Sequence, residues 1–155
     1  MQKSAAHNRL RRVRDEFFAV KYALAETLRL VQTDAFAAQV SIAQNLSIGE
    51  FHRAISNVEQ TYLIRLFTEF EGIAVHYYRY GLKRRSRNPK IAVVMAVLHY
   101  RHNIDPTTFN EADEVRDMRN ALVHTGQHSP PLDFATSAKR LGRFLHWLPQ
   151  TWPDF

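Results

Sequence analysis

The chain has 155 residues, 45% of them hydrophobic, with a formal net charge of +6 and no cysteine. That length suits about one domain, here residues 1–155, and a chain of this size buries roughly 68–70% of its unfolded surface without covalent staples. The missing cysteines exclude a disulfide scaffold, a thiol nucleophile and a cysteine-based zinc site, and no run of about 18 uncharged apolar residues is present to cross a membrane. No apolar signal core follows Met1-Gln2-Lys3, so the expectation is a cytoplasmic protein without export signal or membrane association. Five of the 21 Lys and Arg lie in Lys3–Arg14 and five more in Lys83–Lys90. Clusters of that kind are the footprint of a polyanion partner. A solvated face and a solvated loop account for them equally well.

In chain order, Leu10, Val13, Phe17, Val20, Leu24, Leu28 and Val31 recur at alternating spacings of three and four. This predicts an amphipathic helix over about residues 6–32. Residues 33–46, rich in Ala and Gln, fit a short helix or an irregular connection. Ser47-Ile48-Gly49-Glu50 has the capping-box form and opens the longest periodic run, Phe51 through Tyr80, which Gly81 is expected to end by a left-handed exit. The basic loop Lys83–Lys90 follows, then a shorter helix from Pro89 to about Arg101. Asn103–Thr107 reads as a turn with Pro106 blocking helix, and a second capping box, Thr108-Phe109-Asn110-Glu111, opens a helix to about His124. The segment Thr125-Gly126 closes it and Ser129-Pro130-Pro131 punctuates the chain. A last helix carries Phe134, Ala138, Leu141, Leu145 and Leu148 and stops at Pro149. No segment alternates with period two, so no sheet is expected. The expected architecture is all-α, an up-and-down bundle of four to five helices.

The helix Glu111–Gly126 reads EADEVRDMRNALVHTG. On a wheel of 100° per residue, Val115, Met118, Leu122 and Ala121 form a core stripe. Beside it Arg119, Val123, Arg116, Asn120, Asp113 and His124 make a second face. Arg119 and His124 stand about 140° apart on that wheel, so they flank Asn120 and Val123. A twofold pairing of the face would gather two Arg and two His in one cleft. Structural roles compete with this reading: Arg119 could pair with Glu111, Asp113 or Asp117, and His124 could cap a helix end.

Arg119-Asn120-Ala121-Leu122-Val123-His124 resembles the Arg-Asn-x-x-x-His form of the Arg-x4–6-His signature of HEPN domains. The resemblance covers most of the chain: a long second helix, a late motif helix and a short closing helix. The runs Arg65–Glu71 and Ala138–Leu145 also look like bacterial members. It implies a HEPN-like bundle that dimerises, with the motif at the homodimer interface. It also implies a metal-independent endoribonuclease of single-stranded RNA, needing no cofactor and no metal, of the toxin–antitoxin or antiphage-defence kind, with an antitoxin or other defence protein as partner. His124 would then act as base or acid, Arg119 would hold the phosphate, and Asn120 would orient either. Arg116 with Lys83, Arg84, Arg85 and Arg87 would bind the RNA backbone. Gly126 stands where members controlled by nucleotide modification carry Tyr, so that control is not expected.

Weaker features accompany the motif. Glu69 and Glu71 sit two apart and face different ways; Glu69 suits an ion pair with Arg65. The His99/His102 and His124/His128 pairs lack an acidic partner at ligand spacing, against a metal site. Tyr77, Tyr78 and Tyr80 adjoin the basic loop and could stack on bases, although Tyr77 and Tyr80 also fit the core stripe. The alternative function is a non-catalytic module of the same fold, binding RNA, a nucleotide or a protein. A DNA-binding regulator is disfavoured because the helix after Asn103–Thr108 begins acidic.

Overall fold

A computed structural model of the chain describes residues 1–125 and 132–153. Its α-helices are α1 Lys3–Thr33, α2 Ala35–Ala43, α3 Ile48–His76, α4 Ile91–His102, α5 Pro106–Thr125 and α6 Phe134–His146. A π-helical turn, Tyr77–Gly81, continues α3. Among the described residues there is no strand; one isolated antiparallel bridge joins Gln2 to Thr151. The all-helical bundle expected from periodicity is thus present, with six helices rather than four or five. The additional one is α2, where Asp34 caps the helix by accepting from the Ala37 amide at 2.8 Å.

Local signals explain most of the other boundaries. The capping box of α3 is complete: the Glu50 amide donates to Ser47 Oγ at 3.2 Å, and the Ser47 amide donates to Glu50 Oε2 at 2.5 Å. The expected box at Thr108 is corrected. Helix α5 starts three residues earlier, at Pro106, and its cap is Asp105, which accepts from the Thr108 amide at 2.9 Å. Proline lacks an amide hydrogen that the first helical position would leave unpaired anyway, so Pro106 starts this helix instead of blocking it. Asn103, in the left-handed region at φ 50°, ends α4. The expected exit at Gly126 and the Ser129-Pro130-Pro131 break lie outside the described residues.

Gly81 is also corrected. It has no left-handed conformation; a Cβ there would run into the Tyr77 ring, so close packing requires the glycine. Gly81→Ala is therefore expected to cost about 1–3 kcal/mol, as overpacking does, read as a lower midpoint in urea denaturation. An unchanged midpoint would contradict the packing argument.

The core is centred on α3. Leu63, Leu66, Phe67, Phe70, Ile73 and Ala74 are buried, covered by Leu10, Val13 and Phe17 of α1, by Val94, Met95 and Leu98 of α4, by Val115, Met118 and Leu122 of α5, and by Leu141, Phe144 and Leu145 of α6. Phe17 stacks on Phe134 at 4.1 Å, and Phe70 meets Phe144 edge-on at 5.5 Å. Arg140–Glu114 at 2.5 Å and Arg143–Glu111 at 2.9 Å clip α6 antiparallel to α5. The chain ends meet: the Met1 ammonium donates to the Trp152 carbonyl at 2.5 Å.

Past Phe17 the bundle thins. Helix α6 begins at the Phe17 level, yet α1 runs on for 16 residues, about 24 Å at the helical rise. Beyond that level Leu28 alone is buried on α1, and α3 buries nothing before Leu63. This arm of α1, α2 and α3 leaves Tyr22 73%, Phe36 75% and Ile42 74% exposed.

Candidate functional site

The stripe that seats α5 on the core fixes where its other side chains point. With Ala112, Val115, Met118 and Leu122 buried, Arg119 and Asn120 are half-buried, while Val123 and His124 are exposed. The carboxylates that might have neutralised Arg119 are engaged elsewhere. Asp113 and Asp117 hold Arg116, at 2.6 and 2.8 Å, and Glu111 holds Arg143. Among the described residues Arg119 has no ion pair. Its Nη1 donates to Asn120 Oδ1 at 3.1 Å, its guanidinium lies 5.9 Å from the Phe67 ring centre, and its Nε is buried without a hydrogen-bond partner.

An arginine in that state has its carbon stem and one face desolvated and its charge uncompensated. Such a group gains more than a hydrated one from an incoming anion, because part of the desolvation cost is already met. A fork of donors with two lone edges suits a phosphate's paired oxygens. Asn120 is joined to Arg119, and no described bond joins it to His124. The imidazole stands at the solvent-facing end of α5, one turn past Asn120.

Arg116 shares the motif face, but its side chain is only 18% accessible and its two carboxylate partners flank it. Burial pushes the Asp113 carboxyl up, Arg116 opposes this, and Asp117 adds to it. A phosphate reaching Arg116 must compete with both acids.

The cations of the basic loop are grouped elsewhere. Lys83, Arg84, Arg85 and Arg87 are exposed, and the chain turns at Lys83 with φ 52°. The loop is tied to the end of α3: the Arg84 amide donates to the Tyr78 carbonyl at 3.4 Å, and Arg79 donates to the Arg87 carbonyl. It lies against α4 and Pro153. None of its described bonds reaches Arg119, Asn120 or His124.

The weaker candidates separate as follows. Glu69 pairs with Arg9 at 2.6 Å, bracing α3 against α1, and not with Arg65, which binds Glu16 at 2.5 Å. His102 Nε2 contacts the Tyr77 hydroxyl at 2.9 Å, and the His99 ring lies 4.6 Å from that of Phe109. Burial, then Arg101, pulls the His102 pKa down. Among the described residues no three His, Asp or Glu cluster as metal ligands; His128 lies outside them. Tyr77 and Tyr78 are buried, so stacking on bases is not open to them. Tyr100, which the pattern of apolar spacings passes over, is 86% exposed. Its sequence signal is its place on α4 about 200° from Leu98, opposite the stripe. No helix of the described residues is long and apolar enough to cross a membrane. Compared with protein-family models, with curated proteins and with solved structures, the chain matches none.

Proposed function

We propose that the chain is a metal-independent endoribonuclease of single-stranded RNA, with Arg119, Asn120 and His124 as its working residues. The observation that carries the reading is Arg119: a half-buried guanidinium with no carboxylate partner among the described residues, held by Asn120 and about one and a half turns from an exposed histidine. The HEPN-type pattern of the same residues supports it.

The chemistry asks little of the protein. The RNA 2′-hydroxyl loses its proton to a base and attacks the adjacent phosphorus. The bond to the 5′-oxygen breaks, and that oxygen takes a proton from an acid. The products are a 2′,3′-cyclic phosphate and a 5′-hydroxyl. An imidazole is the side chain suited in general to either proton transfer, the role given to His124, and Arg119 offsets charge growing on the non-bridging oxygens. The motif carries one histidine, so a second copy supplies the other role. An activity of this kind suits a toxin or antiphage-defence effector restrained by a partner protein. The test is a strand offered both as RNA and as DNA of the same sequence. RNA cut and DNA left whole is expected; DNA cut equally would remove the 2′-hydroxyl from the mechanism and sink the reading.

The apolar arm supports a homodimer. Three of its aromatics, Phe18, Tyr22 and Phe36, at 47, 73 and 75% exposure, leave roughly 300–500 Å² open at 150–250 Å² per ring. Val40, Ile42, Leu46 and Ile48 enlarge that patch towards the roughly 800 Å² per partner of a standard interface. Monomers rarely leave such an area open. The arm's charges are mixed in sign (Lys21, Glu26, Arg29, Asp34, Glu50, Arg53), unlike the basic face of a helix lying on a membrane. Equilibrium sedimentation is expected to give twice 18.1 kDa, and Phe36→Asp with Ile42→Asp to give a monomer. A monomeric unmodified chain would contradict the dimer.

A non-catalytic binding module is the second reading. What favours it is that no described bond orients His124.

A further inference from the structure

The basic loop divides two cavities, and we propose that together they bind successive nucleotides of a single strand, apart from the Arg119–His124 face. The first cavity, of about 680 Å³, lies between the loop and α4. Its lining includes Lys83, Arg84, Arg101 and Tyr100, over an apolar floor of Val93 and Val97. The second, of about 350 Å³, shares Lys83 and Arg84 and adds Arg79, Arg85 and Tyr80. Among the described residues no acidic side chain lines either one.

The chemistry of this lining is that of a base and its phosphates. Tyr100 is 86% exposed, the most exposed of the large hydrophobic side chains among the described residues. It stands on a regular helix beside three cations, where an unpaired base can stack on its ring. Sequence-neutral binding of single strands combines such rings with a basic track. The Lys83–Arg84 ridge faces both cavities, so a phosphate there would join one base towards Tyr100 to the next towards Tyr80. The volumes suit a whole nucleotide in the first and the base of the next in the second. The walls are fixed by backbone: Leu82 and Arg84 donate to the Tyr77 and Tyr78 carbonyls at 3.1 and 3.4 Å. Lys83 holds a left-handed conformation at φ 52°, strained for a non-glycine residue, at the ridge. Arg79 Nε is buried with no hydrogen-bond partner among the described residues.

A nucleotide unit is the ligand chemistry, and it has two sources: a strand or a free nucleotide. The probe for a strand is a fluorescein-labelled 2′-O-methyl octauridylate, which has no free 2′-hydroxyl and cannot be cleaved by the route above. Its binding is therefore measured independently of nuclease activity, so failure of one reading is distinct from failure of the other. Anisotropy titration of the full chain is expected to show binding. Tyr100→Ala should weaken it roughly 5- to 100-fold, the range stacking on one base gives, while Tyr100→Phe, which keeps the ring, stays within about twofold. Arg84→Ala should lower the salt dependence by about 0.7 in the log–log slope, the share of a single phosphate. Competition with uridine monophosphate separates the sources. Weak competition marks the strand; displacement at equal concentration marks a free-nucleotide site and overturns the two-cavity track. Tyr100→Ala and Arg84→Ala binding like the unmodified chain would overturn the site altogether. Tyr100 lies off the core, so its variants keep the parent melting temperature.

Discussion

His124→Ala is expected to lower RNA cleavage about 10²–10⁴-fold, the usual loss when a general acid–base residue is removed, while leaving the melting curve in place. The second half of the expectation follows from exposure: His124 lies on the solvent side of α5 and fills no part of the core. Arg119 should behave differently. Arg119→Ala removes the phosphate fork and also the packing over Phe67, so activity and some stability fall together. Arg119→Lys keeps the charge but not the paired donors and should recover only part of the rate. The check is single-turnover cleavage beside thermal unfolding. A His124→Ala protein that cuts at the parent rate would remove histidine from the mechanism.

Phe70→Ala is expected to be the most damaging substitution to the fold. The Phe70 side chain is 0% exposed and lies 5.6 and 5.5 Å, centre to centre, from Phe67 and Phe144, so it links α3 to α6 at the middle of the bundle. Truncating a buried phenylalanine costs about 3–5 kcal/mol through lost transfer energy and the cavity left behind. Against a total of about 5–15 kcal/mol, that takes a large part of the stability. A chain of this length shifts by about 2–4 °C per kcal/mol, so melting should drop by roughly 6–20 °C. A fall below about 1 kcal/mol in urea unfolding would mean that α6 is not packed on α3 as described.

How far the sequence carried depended on the distance between interacting residues. The Ser47–Glu50 box was legible because both partners lie within one turn. The stripes of α1, α3 and α5 were legible because burial recurs at the helical period. The start of α5 was misread because two caps, Asp105 and Thr108, stand three residues apart. Pro106 decides between them, since its fixed φ suits the first helical position. Helix α2 was ambiguous because its apolar residues show no single face and its one clear signal is the Asp34 cap. Gly81 and Glu69 were misread for a different reason. Packing of a ring onto a glycine, and an ion pair with Arg9 sixty residues away, belong to the tertiary structure.

The candidate site divides along the same line. The pattern picks out Arg119, Asn120 and His124 as residues, and it places Glu111, Asp113 and Asp117 as possible partners of Arg119. It does not say which arginine the acids take. That choice is made by the α5 stripe, which turns Arg119 towards Phe67 and leaves Arg116 between the two carboxylates. Tyr100 stayed out of view because a tyrosine off the apolar stripe becomes notable only once a basic loop folds beside it.

The measurement that bears most directly on the nuclease reading is incubation of 5′-labelled single-stranded RNA with the purified chain in excess EDTA, with the ends of the fragments identified. Cleavage that leaves 2′,3′-cyclic phosphate and 5′-hydroxyl ends is the expected result. RNA left intact across varied sequences, or cut to 3′-hydroxyl and 5′-phosphate ends, would contradict it.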